Sequence, residues 1–484
     1  MNPYYIESVK TRIQPMVQDI SVNAGICPLG EDTLLEIFAA PGVDVSQISA
    51  LTLQYWNTSL TLRIQTLERE IPSEGYHIEV ESGRVAIHCS DTVGLLNAFK
   101  SLRMAAESER GVLMSDKWQL PCMIIKDAPR FAFRGLHLCF FPETHLWQIE
   151  KYIRIAAAMK FNYVVLESWG MIKFASHPEY CFDEFAVEPD VIRNLVKLGK
   201  SLGVKIVPQF NIFGHAALAR CCVGKHALLN KHPEYAPLFE PDGWSWCLSN
   251  PASRQYIEDI ILELCDIFDE PEFFHIGCDE AYNAGSCSLC AENFEAKLSA
   301  HIDYFHNLLK KRNVQTMMWH DMLIEQGDPA FRGFTAYGSE RTRSLADSLS
   351  RDIILCDWEY SYRVTENLPD WPTVKFCREK GFRTLLCPWK DMIFNRELGK
   401  QAERHDCMGI LATTWHHFRA QSFTVILEST AQAAWNPQVI AGKHVVPREY
   451  INTALRYVDK DMNLNSYNQW GNMERQFADD ATVN

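Results

Sequence analysis

The chain has 484 residues, 47% of them hydrophobic, and a formal net charge of −14 at pH 7. That is enough apolar content for a large core spread over roughly two or three domains. The acidic balance excludes nucleic acid and anionic membrane surfaces as partners, because both need a basic footprint. No run approaches about eighteen apolar residues, so no membrane-spanning helix is predicted. Met1–Ser8 has no basic stretch followed by an apolar core, and the expectation is a protein without a signal peptide, in the cytoplasm. Sixteen cysteines then read as reduced, mostly buried thiols.

From about residue 30 to 120 the pattern is that of a small α+β domain. Leu60–Ile64, His77–Val80 and Val85–His88 alternate like half-buried strands, the last two joined by a turn at Glu81-Ser82-Gly83-Arg84. Asp91 is placed to cap a helix over Thr92–Glu107, where Leu95, Leu96, Phe99 and Leu102 recur at helical spacing. Nothing in this stretch suggests catalysis.

From Arg134 the rhythm changes to short apolar runs separated by amphipathic segments, the pattern of βα units on a parallel sheet. Eight runs are visible: Arg134–Cys139, Tyr163–Glu167, Lys205–Phe210, Phe273–Gly277, Thr316–Trp319, Ile353–Trp358, Thr384–Cys387 and Gly409–Thr414. Helices are predicted over Ile149–Met159, Pro189–Leu202, Ser253–Phe268 and Cys290–Lys311. The count favours an α/β chain with a (β/α)8 TIM barrel over an open doubly wound sheet. Neither a dinucleotide fingerprint nor a phosphate-binding loop motif is present. The organisation expected is an N-terminal domain over 1–125, the barrel over 126–445, and a C-terminal helix with a polar tail over 446–484.

Barrel enzymes react at the carboxyl ends of their strands. There the sequence sets Gly214-His215 after the third strand and Asp279-Glu280 after the fourth. Trp319-His320-Asp321 ends the fifth, Asp357-Trp358-Glu359-Tyr360 the sixth, Trp389 and Asp391 follow the seventh, and Trp415-His416-His417 the eighth. Aromatic faces for stacking on pyranose rings, interleaved with acids and imidazoles for hydroxyl groups, suit a carbohydrate. The adjacent acids suit a site that needs one protonated and one ionised carboxyl, although an Asp-Glu pair can also simply begin a helix.

Several motifs carry a resemblance. Asp127-Ala128-Pro129-Arg130-Phe131 through Arg134-Gly135, then Met159-Lys160-Phe161-Asn162, Gly214-His215-Ala216 and His275-Ile276-Gly277-Cys278-Asp279-Glu280 resemble, in order, motifs of the family 20 glycoside hydrolases, the β-N-acetylhexosaminidases. The likeness covers about residues 60 to 420, and the small domain is similar to that family's non-catalytic N-terminal domain. The motif containing Cys278 resembles most the cytosolic hexosaminidase D-like branch. The resemblance implies a retaining exo-β-N-acetylhexosaminidase that hydrolyses terminal β-linked GlcNAc or GalNAc, with the substrate's own 2-acetamido group as nucleophile. Glu280 would be the acid and then the base, and Asp279 would orient the acetamide and stabilise the oxazolinium cation while ionised. Arg134 would grip the sugar hydroxyls, His215 would tune the network, and Trp319, Trp358 and Trp415 would wall the pocket. The scheme needs no cofactor.

Two departures stand out. The family's Tyr-x-Asp after the seventh strand reads Trp389-Lys390-Asp391, which leaves Trp389, Tyr360 or Tyr362 as donor to the acetamide oxygen. The family's Trp-x-Glu after the eighth reads Trp415-His416-His417, without the acid that holds ring hydroxyls. Those departures keep open an alternative, a catalytically impaired N-acetylhexosamine-binding protein on the same barrel. A metal-dependent hydrolase using His215, His275, His320 and Asp321 is a further alternative. Cys287-Ser288-Leu289-Cys290, with Cys247 and Cys221-Cys222 in the preceding loop, is a candidate for structural zinc, with free thiols as the default. The sequence allows a homo-oligomer without pointing to one.

Overall fold

The eight apolar runs become eight parallel strands that close on themselves. In the computed structural model, which describes residues 3–108, 117–142, 144–183, 185–217, 226–360, 371–389, 392–415 and 420–438, they span Phe133–Phe140, Tyr163–Ser168, Lys205–Gln209, Phe273–His275, Gln315–Trp319, Ile354–Trp358, Arg383–Cys387 and Gly409–Ala412. Each strand pairs with the next in sequence, and the eighth returns to the first, from Gly409↔Phe133 to Ala412↔Leu136. The (β/α)8 expectation holds. Every residue of the first strand is buried, as a strand must be when helices cover one face and the barrel interior the other. That is why these strands read as apolar runs and not as alternations.

Helices Leu146–Ala158, Pro189–Ser201, Pro251–Ile267, Phe294–Lys311, Pro372–Glu379 and Met392–Arg404 separate the strands. Three of them open on a proline, whose missing N–H is one the first turn would leave unpaired anyway. The helix expected from Cys290 begins instead at Phe294. Cys290 donates its N–H to the Cys287 carbonyl at 3.0 Å, and Asn293 is left-handed at φ 52°; both hold the segment in turns. At the amino-terminal end of the barrel the rings of Phe133 and Tyr163 stack at 4.4 Å, with Phe273 edge-on to both. This plug fills the interior at one end and leaves chemistry to the other.

By its contacts the chain divides into two compact units. One is the barrel, Phe133–Ile153 with Phe161–Phe418; the other gathers Met1–Ala132, Arg154–Lys160 and the chain from Arg419. The helix and tail expected over 446–484 lie outside the described residues. In the second unit a sheet runs in the order Asp19–Leu29, Trp118–Asp127, Tyr76–Glu81, Arg84–Cys89, Leu34–Ala39, Thr61–Thr66. Asp91 caps the helix Thr92–Ala105 as expected, accepting from the Gly94 N–H at 2.7 Å. The strand at Thr61–Thr66 corrects the sequence reading: all six residues are exposed, because it is the outermost strand of the sheet and not a half-buried one.

The same unit holds a buried polar knot. The Lys160 ammonium lies 3.2 Å from Asp127 Oδ2 and donates to the Tyr76 hydroxyl at 2.8 Å. Asp127 also accepts from Tyr76 at 2.6 Å and from Trp435 Nε1 at 3.0 Å. A fully buried ion pair is tolerable only when its remaining lone pairs are satisfied in this way. Lys160, part of a motif the sequence offers beside the catalytic one, is therefore a structural residue.

Candidate active site

Two loops interlock at the carboxyl end of the barrel. The chain leaving the third strand passes through Gly214 and His215, and the chain leaving the fourth passes through Gly277 to Glu280. A side chain on Gly214 would put its Cβ 2.1 Å from the Asp279 carbonyl oxygen, and one on Gly277 would put it 2.0 Å from Asn211 Oδ1. Only glycine lets the loops approach this closely. The backbone is strained as well: after Gly277, which takes its φ of 69° freely, Cys278 and Glu280 take φ of 75° and 48°, and His215 takes 54°. Left-handed non-glycine residues cost free energy and persist where their surroundings over-determine them.

The geometry collects an acid pair around one imidazole. His215 Nε2 is 3.1 Å from Glu280 Oε2 and 3.5 Å from Asp279 Oδ2. Glu280 is held from several sides. Its N–H donates to Asp321 Oδ2 at 3.0 Å, its carbonyl accepts from Trp244 Nε1 at 2.7 Å, and its Oε1 accepts from the Tyr282 hydroxyl. Asp321 in turn accepts from Trp358 Nε1 at 3.1 Å. The His215 ring packs against Trp244 at 4.2 Å and edge-on to Trp169 at 5.6 Å. Asp279 Oδ1 is buried and accepts no hydrogen bond among the described residues. An orphaned carboxylate oxygen at a strand end is an acceptor prepared for a donor from outside.

Burial sets the electrostatics. It pushes the Asp279 carboxyl well above its ordinary value; His215 opposes the shift, while Asp321 and Glu280 reinforce it. Asp321 is pushed up to about 6, again chiefly by burial. Burial pulls the His215 imidazolium down, but the carboxylates of Asp279 and Glu280 outweigh it and raise the pKa. Glu167, at the end of the second strand, stays below the usual carboxylate range despite burial, because His137 and Asn211 hydrogen-bond it at 3.1 and 2.8 Å. Burial thus works against ionisation of Asp279, and the neighbouring His215 works in its favour.

The sequence-derived residues are mostly brought together. Asp279, Glu280 and His215 form the centre. Trp358 reaches it through Asp321, and Tyr360 packs against Trp358 and Trp389, both at 5.1 Å. The Tyr360 hydroxyl accepts from Trp415 Nε1 at 2.6 Å. Trp319 lies 5.4 Å from Trp415 and is fully buried, so it is floor and not wall. Asp391, Tyr362, His416 and His417 lie outside the described residues.

Arg134 is a correction. It is the second residue of the first strand, paired with Ile410, and its N–H donates to Asn162 Oδ1 at 2.9 Å. Six residues of strand, about 20 Å, separate it from Phe140 at the site's end, so it does not reach the acid pair. The four-residue metal set also fails to form. Among the described residues His215 groups with Asp279 and Glu280, not with His275, His320 and Asp321. His275 is buried neutral, its Nδ1 accepting from the Gly277 N–H at 3.1 Å.

Sequence reasoning missed Asp321 as a support, and missed Glu167, Trp244 and Tyr282. Glu167 ends a predicted strand and could have been noticed there. Trp244 sits in a long loop, and nothing in its sequence neighbourhood announces its contact.

Comparison with known proteins bears on this geometry. The catalytic-domain profile of glycosyl hydrolase family 20 matches residues 180–454. The β-hexosaminidase subunit A1 of Dictyostelium discoideum is 25% identical over 232 residues, 45% of this chain and 41% of that protein. The chain thus spans less than half the length of that curated relative. A β-N-acetylhexosaminidase structure from Bacteroides fragilis superposes with a TM-score of 0.68 at 17% identity, covering 92% of this chain and 94% of that one. The chitobiase of Flavobacterium johnsoniae gives 0.66 at 19% identity, covering 95% and 72%. These structural likenesses speak to the fold.

Proposed function

This chain belongs to glycoside hydrolase family 20, and we propose that it is a retaining β-N-acetylhexosaminidase acting on terminal β-linked GlcNAc or GalNAc by substrate assistance. The observation that carries the reading is the orphaned Asp279 Oδ1 beside a Glu280 fixed through both its backbone and its carboxylate. The acetamide N–H of the substrate donates to Asp279 Oδ1, which turns the acetamide oxygen towards C1. That oxygen bonds to C1 as the glycosidic bond breaks, and the Glu280 proton goes to the leaving oxygen. Water, losing its proton to Glu280, then attacks C1 and reopens the oxazolinium ring with net retention.

The elevated Asp279 pKa fits this sequence of events. A buried carboxyl that is unfavourable as an anion on its own becomes favourable when a cation develops beside it. Its stabilisation is then realised mainly in the transition state, where it lowers the barrier. Among the candidate donors to the acetamide oxygen, Tyr360 is favoured. Its hydroxyl accepts from Trp415, which leaves its own proton to donate. The binding-only alternative is not favoured, since the acid pair and its supports are assembled. We further propose, on the Cys278-containing motif alone, the hexosaminidase D-like branch of the family and with it a cytoplasmic location, which cell fractionation checks.

The test is hydrolysis of p-nitrophenyl β-GlcNAc and β-GalNAc, with the β-glucoside and a thiazoline inhibitor as controls. Cleavage of the acetamido sugars alone, blocked by thiazoline, is expected. Glu280→Gln should lose turnover on substrates with poor leaving groups and keep binding, whereas Asp279→Asn should slow every leaving group. Wild-type rates in both variants would overturn the assignment.

A further inference from the structure

A second cluster lies beside the acid pair and takes no part in the chemistry just described. The segment 240–247 forms a turn whose feet are bridged by Phe239↔Trp246 and by the Glu240 N–H donating to the Ser245 carbonyl at 2.8 Å. Trp244, the indole that bonds the Glu280 carbonyl, is carried on this turn. Cys247 is at one foot and Glu240 at the other. Facing them is Cys287-Ser288-Leu289-Cys290, which begins seven residues after Glu280.

The three sulfurs converge. Cys247 Sγ is 3.8 Å from Cys287 Sγ and 3.6 Å from Cys290 Sγ, and all three ligand atoms lie within 4.8 Å of one another. Tetrahedral zinc with Zn–S bonds near 2.3 Å requires sulfurs about 3.8 Å apart, whereas a disulfide requires about 2.05 Å. The Cys290 N–H points at Cys287 Sγ at 3.3 Å, the inward backbone donor that steadies a metal thiolate. Glu240 is 1% exposed; its Oε2 accepts from the Cys287 N–H at 2.6 Å and the Ser286 hydroxyl at 3.1 Å. Its Oε1 has no partner among the described residues although it is buried. A buried carboxylate oxygen without a donor, set against three converging sulfurs, is an expensive arrangement unless a cation completes it.

We propose that Cys247, Cys287 and Cys290 form a structural site for a divalent, thiolate-preferring cation, zinc first, with Glu240, which stands outside the 4.8 Å cluster of sulfurs, turning in its Oε1 as the fourth ligand, and that the ion fastens the foot of the Trp244 turn to the segment following Glu280. Three soft sulfurs and one carboxylate suit zinc and exclude magnesium or calcium, which take all-oxygen sites. Four protein ligands leave no open position, so the ion braces the acid's surroundings and does not act on substrate. Binding forms three Zn–S bonds and one Zn–O bond, and the protons of the three thiols leave to solvent.

The test uses the full chain expressed in zinc-supplemented medium and gel-filtered before metal analysis. About one zinc per chain is expected, with Cys247→Ser and Cys290→Ser at background and Glu240→Gln surrendering zinc at a lower chelator concentration than wild type. Because the serine variants can misfold, wild-type protein is also exchanged with Co²⁺. A thiolate-to-metal charge-transfer band with the visible bands of tetrahedral cobalt is expected, and alkylation of the three cysteines should slow when metal is present. Zinc at background in the wild type, a cobalt-silent spectrum, or metal-independent alkylation overturns the site. A Cys247–Cys290 disulfide formed in the presence of zinc overturns it in favour of a redox pair. None of these readouts depends on hydrolytic activity.

Discussion

Replacing Asp321 by Asn separates what the buried charge costs from what its hydrogen bonds contribute. Asp321 is fully buried, and its pKa rises from 3.8 to about 6 on folding. A carboxyl raised in the folded state binds its proton more tightly there than in the unfolded chain. Its stabilising contribution is complete below pH 3.8 and is lost as the pH climbs through 6. A shift of that size corresponds to roughly 3 kcal/mol. Against this stand the two donors it satisfies, the Glu280 N–H and Trp358 Nε1. An amide can accept from only one of them, and an unpaired buried donor costs about 1–3 kcal/mol at any pH. Asp321→Asn should therefore be clearly destabilising near pH 4 and close to neutral, or stabilising, near pH 8. The difference between the two should be roughly 3 kcal/mol. The substitution also removes a charge that helps raise Asp279, an effect of the same sign. Urea unfolding of wild type and variant at three pH values measures it, with kcat in parallel; kcat should fall because one of the two bonds by which Asp321 seats Glu280 and Trp358 is lost. A variant whose stability difference from wild type does not change with pH would refute the electrostatic reasoning, whatever happens to the rate.

Trp244→Phe keeps the ring on His215 but deletes the N–H to the Glu280 carbonyl, so kcat should drop by about three- to tenfold, the worth of one hydrogen bond, with KM and the urea midpoint little moved. Gly214→Ala drives a Cβ into the Asp279 carbonyl, and steady-state assays should show a loss of about a hundredfold or more, the usual cost of an ångström of misplacement. Lys160→Met strands the buried Asp127 carboxylate and should lower unfolding free energy by about 3–5 kcal/mol, much of it restored by adding Asp127→Asn; full stability in the single variant would contradict the reading of that knot.

The parts of this architecture that follow from periodicity were legible. Each barrel strand matched its apolar run to within about two residues, the ordinary uncertainty of such boundaries, because burial on both faces writes itself directly into composition. The acid pair was legible because its members are adjacent. Arg134 shows the opposite case: a motif says which residue is present, not which end of the strand it occupies, and the pairing with Ile410 puts it at the closed end. Trp244 became visible only when a loop distant in sequence met Glu280, whereas Tyr282, two residues on, was in plain view and simply not singled out. The push of burial against Asp279 ionisation was not legible, since it depends on how much water the folded pocket removes. At Thr61–Thr66 alternation was real but misleading, because an edge strand can alternate without burying either face.

The left-handed backbone after the fourth strand limits which residues that stretch can accept. Cys278 is buried and forms no part of the acid–imidazole network, so by chemistry alone any small apolar side chain would serve. At φ 75° a β-branched residue is excluded, and valine or isoleucine, the ordinary choices for a buried strand end, are the ones this position refuses. Variation there is filtered by shape before it is filtered by reaction. A library randomised at residue 278 should return glycine, alanine, asparagine and serine together, a spectrum that would pass for a loose surface turn if the burial were not known.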